Sequence, residues 1–218
     1  MKGFELRSES LAASSQPEVT SRKRGNRETR IPEIIEVSIN VLVEVGYAGY
    51  AINRVANDAG IRLSTLQHYF PSRDELLRCT IEEISRRYLE RFRELAENRK
   101  LSPRQRLEDI ADDAFRELVK PGLPVAIFES WVLALREPFA RDLVVRLRRE
   151  FRTMFAGLVG EINPALTLEE RSLRGALLLC SFEGLVAFLR WNDDDASRLA
   201  LFKNAMKVVW TGLSEASE

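Results

Sequence analysis

Apolar residues recur along this chain at three- and four-residue intervals, the spacing of helix faces, and no stretch alternates with the two-residue rhythm of a strand. The densest set lies between Ile52 and Phe70, INRVANDAGIRLSTLQHYF. Val55 and Ala59 stand one turn apart on a common face, and Ala56 beside Val55 is small enough to let a second helix approach. Gly60 follows where the first helix must stop, as a residue able to take positive φ. Leu66 and Tyr69, three apart, give a second short helix an inward face that folds back on the first. Two short helices joined by a tight turn are the helix-turn-helix arrangement, whose second helix enters a DNA groove. An ordinary helical hairpin with no nucleic-acid role carries the same pattern.

The flanking patterns predict further helices. Pro32 suits a first turn, and Ile35, Ile39, Leu42 and Val43 make a stripe that runs to about Val45, with Gly46 as its stop. Phe70, Leu76 and Leu77 complete a small core with that helix. Ser72, with Glu75 three residues on, forms the capping box of a long helix reaching about Asn98. Its apolar face is Leu77, Ile81, Ile84, Tyr88, Phe92 and Leu95. Helices over Pro103 to Leu118, Pro124 to Arg136, Pro138 to Glu161, Leu168 to Trp191 and Asp195 to about Leu213 each open at a Pro, Thr or Asp signal, with Thr167 boxed by Glu170. The expected fold is all-α with about nine helices. Residues 1–27 form a disordered basic arm, 28–72 a three-helix DNA-binding domain, and 73–218 a larger helical domain for ligand binding and pairing.

Charge narrows the function. The chain has 33 basic and 33 acidic residues, so a nonspecific nucleic-acid coat is excluded and any DNA binding must come from a local patch. Arg22, Lys23, Arg24, Arg27 and Arg30, opposed only by Glu28, read either as a solvated tail or as an arm on phosphates or in the minor groove. His68 is the only histidine, which leaves no paired-histidine metal site and no histidine-based triad outside the second short helix. No phosphate-cradling glycine loop occurs, so no catalytic residue, metal or cofactor is expected and the chain reads as no enzyme. Cys79 and Cys180, far apart in helical patterns, read as reduced core or interface residues. The N-terminus lacks the apolar segment of a signal peptide, and no apolar run approaches the roughly 20 residues of a membrane span, so a cytoplasmic protein with no membrane partner is expected.

The run from Ile34 to Leu77 resembles the DNA-binding domain of the TetR family of bacterial transcriptional repressors. The resemblance rests on Gly46-Tyr47, on Val55-Ala56 with Ala59-Gly60-Ile61, on Thr65-Leu66 with Tyr69-Phe70, and on Ser72-Arg73 with Glu75-Leu76. It implies that Tyr47 and Tyr50 lie against phosphates, that Arg62 to Tyr69 form the recognition helix, and that Arg73 holds a phosphate. By periodicity the exposed polar positions of that helix are Arg62, Ser64, Thr65, Gln67 and His68, and Tyr69 completes the DNA-binding set. Arg62 suits a phosphate or a guanine edge, Gln67 an adenine edge, and Ser64 and Thr65 phosphates or a thymine methyl. Three positions depart from the family. Tyr50 and Ala51 stand where Thr or Ser caps the second helix, Arg62 replaces a cap Ser, and Gln67 replaces an aromatic.

The resemblance makes the larger domain a regulatory one, in which the long helix is the lever that moves on ligand binding. In the eighth helix Ala176, Cys180, Gly184 and Phe188 form a four-spaced row beside Leu177, Ser181 and Leu185. Leu201, Ala205, Val208, Val209 and Leu213 make a strip in the ninth. Paired across two copies these helices build a four-helix bundle; within one copy they only bury a core. Phe115, Phe128, Trp131, Phe151, Phe155 and Phe182 are the candidate ligand-binding aromatics, in a region that also holds Phe139, Phe188 and Trp191. Asp113, Glu129, Ser130, Ser181 and Glu183 are available to orient a ligand, and aromatics with carboxylates suit a cationic or amine-bearing effector. The QHYF ending and the Trp131-to-Phe139 stretch are faintly similar to choline- and betaine-pathway regulators of the family. The reading is therefore a ligand-responsive homodimeric repressor on a palindromic operator of double-stranded DNA, released by a small-molecule effector. The alternative is a helical adaptor that has lost sequence-specific DNA binding.

Overall fold

The computed structural model describes residues 27–120, 122–190 and 198–216, which form nine helices and no strand. In chain order they are α1 (Arg27–Gly49), α2 (Ile52–Asp58), α3 (Leu63–Tyr69), α4 (Arg73–Ala96), α5 (Pro103–Leu118), α6 (Gly122–Ala134), α7 (Pro138–Ile162), α8 (Leu168–Arg190) and α9 (Leu199–Glu215). The all-α class and the helix order match the sequence reading. Trp191, Asp194, Asp195 and the arm residues Arg22, Lys23 and Arg24 lie outside the described residues.

Helix starts follow side-chain chemistry where a cap exists. The Glu75 amide donates to Ser72 Oγ at 3.1 Å and the Gln105 amide to Ser102 Oγ at 3.2 Å. The Thr167 and Glu170 box closes both ways, with Thr167 N donating to Glu170 Oε2 at 2.6 Å and Glu170 N to Thr167 Oγ1 at 3.3 Å. Pro32 is a correction: α1 runs back to Arg27, so the proline lies in its second turn and forgoes a bond to a carbonyl one turn earlier. Gly46 stops α1 as expected; at φ 64° it breaks the helical path, and three residues then complete a final turn to Gly49.

The N-terminal head, α1 to α3 with the start of α4, is held by one core. Ile34, Val41 and Leu42 of α1, Val55 and Ala56 of α2, Leu66 of α3, and Leu76 and Leu77 of α4 are all nearly inaccessible to solvent. That core does not end with the head, because Ala126 and Leu133 of α6 and Ala140 and Leu143 of α7 pack into it. A second core joins α4, α5, α7, α8 and α9 around Ile110, Phe155, Val159, Leu178 and Trp210. Arg106, almost fully buried, ties this body together by donating to the Ala96 carbonyl at 2.6 Å and pairing with Glu161.

The head also carries a buried hydroxyl chain, and its direction follows from proton count. Thr80 donates to the Leu76 carbonyl at 2.7 Å, so it accepts from Ser38 at 2.6 Å. Ser38 has then spent its proton and accepts from Tyr50 at 2.5 Å. Burial pushes the Tyr50 phenol up, an effect opposed in part by its bond to Ser38. The chain pins the segment between α1 and α2 to both α1 and α4.

In α8 the sequence expectation of no membrane-length apolar run does not hold. Leu168–Leu189 is long and apolar enough to cross a membrane by length and composition. The reason is that α8 is apolar on two faces, one buried through Leu178 in the second core and Val186, the other exposed through Leu173, Leu177 and Phe188.

Tyr50→Phe removes only the first donor of the hydroxyl chain. It is expected to lower stability by about 1 kcal/mol, read as a lower denaturant midpoint at unchanged slope. An unchanged midpoint would show that the chain does not hold the segment.

Candidate nucleic-acid interface

The turn between α2 and α3 is fixed by its backbone. Gly60, at φ 61°, donates to the Asn57 carbonyl at 2.9 Å, and Ile61 donates to the Ala56 carbonyl at 3.0 Å, the paired bonds of a Schellman motif. From that turn α3 leaves with Leu66 fully buried and Tyr69 partly buried against the head core. Arg62, Ser64, Thr65, Gln67 and His68 are all exposed, so the outward face expected from periodicity is the outward face observed. Among the described residues no ion pair engages Arg62, whereas Arg54 on α2 is committed to Glu44 at 2.7 Å and Asp58 at 3.4 Å. Arg62 is thus the guanidinium of this face that is ready for an anionic partner. Neither Ala51 at the start of α2 nor Arg62 at the start of α3 supplies a side-chain cap bond, in keeping with the departures seen in the sequence.

Two residues assigned to phosphate contact do something else. Tyr50 is 3% exposed and its hydroxyl faces Ser38, so it is not available to DNA; the correction follows from partners that lie 12 and 42 residues from Ser38. Arg73 donates through Nε to the Tyr50 carbonyl and through a terminal nitrogen to the Tyr47 carbonyl, each at 3.0 Å. Its third contact is Asp74 at 3.2 Å, and its guanidinium lies over the Tyr47 ring at 4.6 Å and the Tyr50 ring at 5.6 Å. These contacts clamp the segment after Gly46 rather than reach outward. Tyr47 is partly buried beneath the clamp. Nothing in local spacing signals such a clamp, since Arg73 reaches back 23 and 26 residues.

A second candidate site lies in the helical body, a cavity of about 110 Å³ walled by α4, α5, α6, α7, α8 and α9. Of the six candidate ligand-binding aromatics, Trp131, Phe151, Phe155 and Phe182 line it. Phe115 does not, being buried in the second core, and Phe128 instead meets Trp131 edge-on at 5.5 Å without reaching the cavity wall. Ser130 and Glu183 line it. Asp113 is taken up by Arg91 and Arg116, Ser181 accepts from Trp210 Nε1 at 2.8 Å, and Glu129 turns toward Gly46. Sequence reasoning missed Arg148, which bonds both oxygens of Glu183 at 2.9 Å and lies 5.6 Å over the Trp131 ring. It also missed Tyr88 and Phe92 in the wall, offered only as part of the long helix's apolar face, and Trp210, which it did not single out.

Comparison with known proteins agrees with this geometry. Residues 34–79 match the family model described as bacterial regulatory proteins, tetR family. The chain is 30% identical to the HTH-type transcriptional regulator CymR of Pseudomonas putida over 167 residues, 74% of this chain and 80% of that protein. It is 27% identical to the HTH-type transcriptional regulator BetI of Burkholderia thailandensis over 186 residues, 78% of this chain and 94% of that one. In fold it is similar to a TetR transcription regulator from Haloarcula marismortui, with a TM-score of 0.68, 18% identity, and 86% and 97% of the two chains covered. A transcriptional regulator from Rhodococcus sp. Rha1 is similar at a TM-score of 0.67 and 20% identity, with 84% and 95% covered.

The two arginines separate by salt. Arg62→Ala is expected to lower DNA affinity and to reduce the slope of log affinity against log salt by about 1, the signature of one lost phosphate contact. Arg73→Met is expected to lower affinity and the thermal midpoint together while leaving the salt slope unchanged. A reduced slope for Arg73→Met at full stability would return Arg73 to the phosphate contacts.

Proposed function

Because the chain belongs to the TetR family of bacterial regulatory proteins, helix-turn-helix DNA-binding transcriptional regulators, we propose that it is a homodimeric repressor that reads a palindromic operator and is released by a small-molecule effector. The observation that carries the DNA reading is the α3 face. Five polar side chains, Arg62, Ser64, Thr65, Gln67 and His68, stand outward on a helix whose other side is anchored by fully buried Leu66. Arg62 supplies a bidentate donor suited to the guanine edge and Gln67 an amide that can donate to adenine N7 and accept from its N6, with Ser64 and Thr65 beside them for phosphates.

Pairing is supported by apolar surface that one copy leaves uncovered. Leu173, Leu177, Cys180 and Phe188 are exposed on α8, and Leu201, Val208 and Val209 on α9. The small residues Gly184 and Ala205 lie in the same strips. Ser181, Leu185 and Leu213 turn inward instead, toward Trp210 and the second core. Two copies joined over these strips set the recognition helices to address successive major grooves, about 34 Å apart.

The effector reading rests on the Arg148–Glu183 pair at the cavity wall. Its arginine is 50% exposed and its glutamate 20%, so the partner that leaves for water at lower cost is the arginine. What remains is a carboxylate beside the face of Trp131, a place that the guanidinium already fills as a cation would. An organic ammonium with an apolar body fits that site.

An adaptor role is favoured only by the uncapped starts of α2 and α3, and one measurement separates it. Combined Arg62→Ala and Gln67→Ala is expected to reduce operator affinity about 100-fold, at about 1–3 kcal/mol for each base contact; unchanged affinity would favour the adaptor. Val208→Glu is expected to give a monomer in sedimentation and to lose selection of symmetric sites from genomic fragments. Selection of only asymmetric sites by the unsubstituted chain would overturn the palindromic reading.

For the effector, benzyltrimethylammonium is expected to quench tryptophan fluorescence at least about tenfold more tightly than uncharged neopentylbenzene, and Glu183→Gln to remove the difference. Equal affinity for the two would overturn a cationic effector.

A further inference from the structure

α6 belongs to the head core and also walls the cavity of the body. Ala126 packs into the head core and also lines the cavity, and Leu133, two turns on, is buried in the head core. Ile127, Ser130 and Trp131 continue the cavity wall. Glu129 adjoins the Ala126–Leu133 face on the side away from Trp131, by the 100° step of a helix. There its carboxylate meets Gly46: a Cβ built on that glycine would stand 2.7 Å from Glu129 Oε1. Gly46 is where α1 bends at positive φ, one residue before Tyr47, whose carbonyl Arg73 holds. So the helix that walls the cavity also places, one side chain over, a carboxylate beside the bend that leads into α2 and α3.

We propose that Glu129 against Gly46 is the contact through which occupancy of the cavity is reported to the DNA-reading pair. Glu129 is a positioning residue: it touches neither DNA nor cavity, and it transmits a shift or rotation of α6 to the start of the α1–α2 turn. At φ 64° Gly46 holds a backbone conformation that L side chains rarely adopt, and its missing Cβ leaves the room in which the Glu129 carboxylate lies, so a displacement of α6 carries that carboxylate toward or away from the bend. The inference rests on the reading of the cavity as an effector site. It adds to the expected lever, α4, a route through α6 that bypasses it.

The test needs no effector, because an introduced side chain can stand in for one. Val144→Phe from α7 and Ser130→Phe from α6 each place a ring in the cavity, and two fillers guard against one that fails to fold. On a DNA fragment selected by the unsubstituted chain, each filler is expected to weaken binding about tenfold, within the usual range of coupling between sites. Glu129→Ala is expected to abolish most of that weakening, and Glu129→Gln, of equal length, to retain it. A double-mutant cycle reads the coupling directly. Fillers that weaken DNA binding equally with and without Glu129→Ala, or that leave it unchanged in the otherwise intact chain, overturn the proposal. If the unsubstituted chain selects no DNA at all, the regulator reading itself is overturned, and the two failures are thereby distinct.

Discussion

The structure depends on holding two helices that could not hold themselves. α2 and α3 have seven residues each, and neither start has a side-chain cap. Isolated helices shorter than about 12 residues are marginal in water, so nearly all of their order must come from packing. Burial of Val55, Ala56 and Leu66, all at 0–1% exposure, supplies it. A buried leucine alone contributes about 1.5–3 kcal/mol relative to an exposed one. The Schellman turn at Gly60 fixes the angle between the two helices, and the Arg73 clamp with the Tyr50–Ser38–Thr80 chain fixes the approach to the first. The outward polar residues of α3 are exposed and add nothing to that buried core.

What the sequence revealed follows from the range of the interactions concerned. Val55, Ala56, Ala59, Gly60 and Leu66 act on neighbours within one or two turns, so their spacing was sufficient to place them and to turn Arg62, Gln67 and His68 outward. Tyr50 was misplaced because an aromatic at a helix start gives no sign of hydroxyl partners on α1 and α4. Arg73 was misplaced because a cation near a DNA-reading helix reads as a phosphate ligand unless the carbonyls and rings that engage it are known. The cavity was legible in part. Trp131, Phe151, Phe155 and Phe182 reached it, but Phe115 and Phe128 did not, because helical periodicity separates inside from outside and not one interior space from another. Arg148 was invisible for the opposite reason, since a charged residue in a basic stretch reads as solvated surface.

Charge is used locally throughout. A chain with equal numbers of acids and bases holds most arginines in pairs on its helix faces, such as Arg86 with Glu83 and Glu90 or Arg87 with Glu36. Glu83, under Arg86 and Arg87, is held down to about 2, so it stays ionised well below neutral pH. Such pairs are weak individually at the surface. Their effect is to quiet much of the surface electrostatically, so Arg62, which no ion pair engages among the described residues, is more conspicuous to a polyanion than the overall balance suggests.

The shared core has a consequence for modularity. Head and body are separable in outline but not in packing, since Ala126, Leu133, Ala140 and Leu143 complete the interior that Val41, Leu42 and Leu77 begin. A head excised after its last matched residue would carry a raw apolar face where α6 and α7 had been. A chimera that grafts this head onto another body, or another head onto this one, must transplant the facing residues of those two helices with it. On the proposed reading of α3, exchange of DNA specificity in such a molecule is therefore simpler to achieve on its five outward positions than by moving the domain.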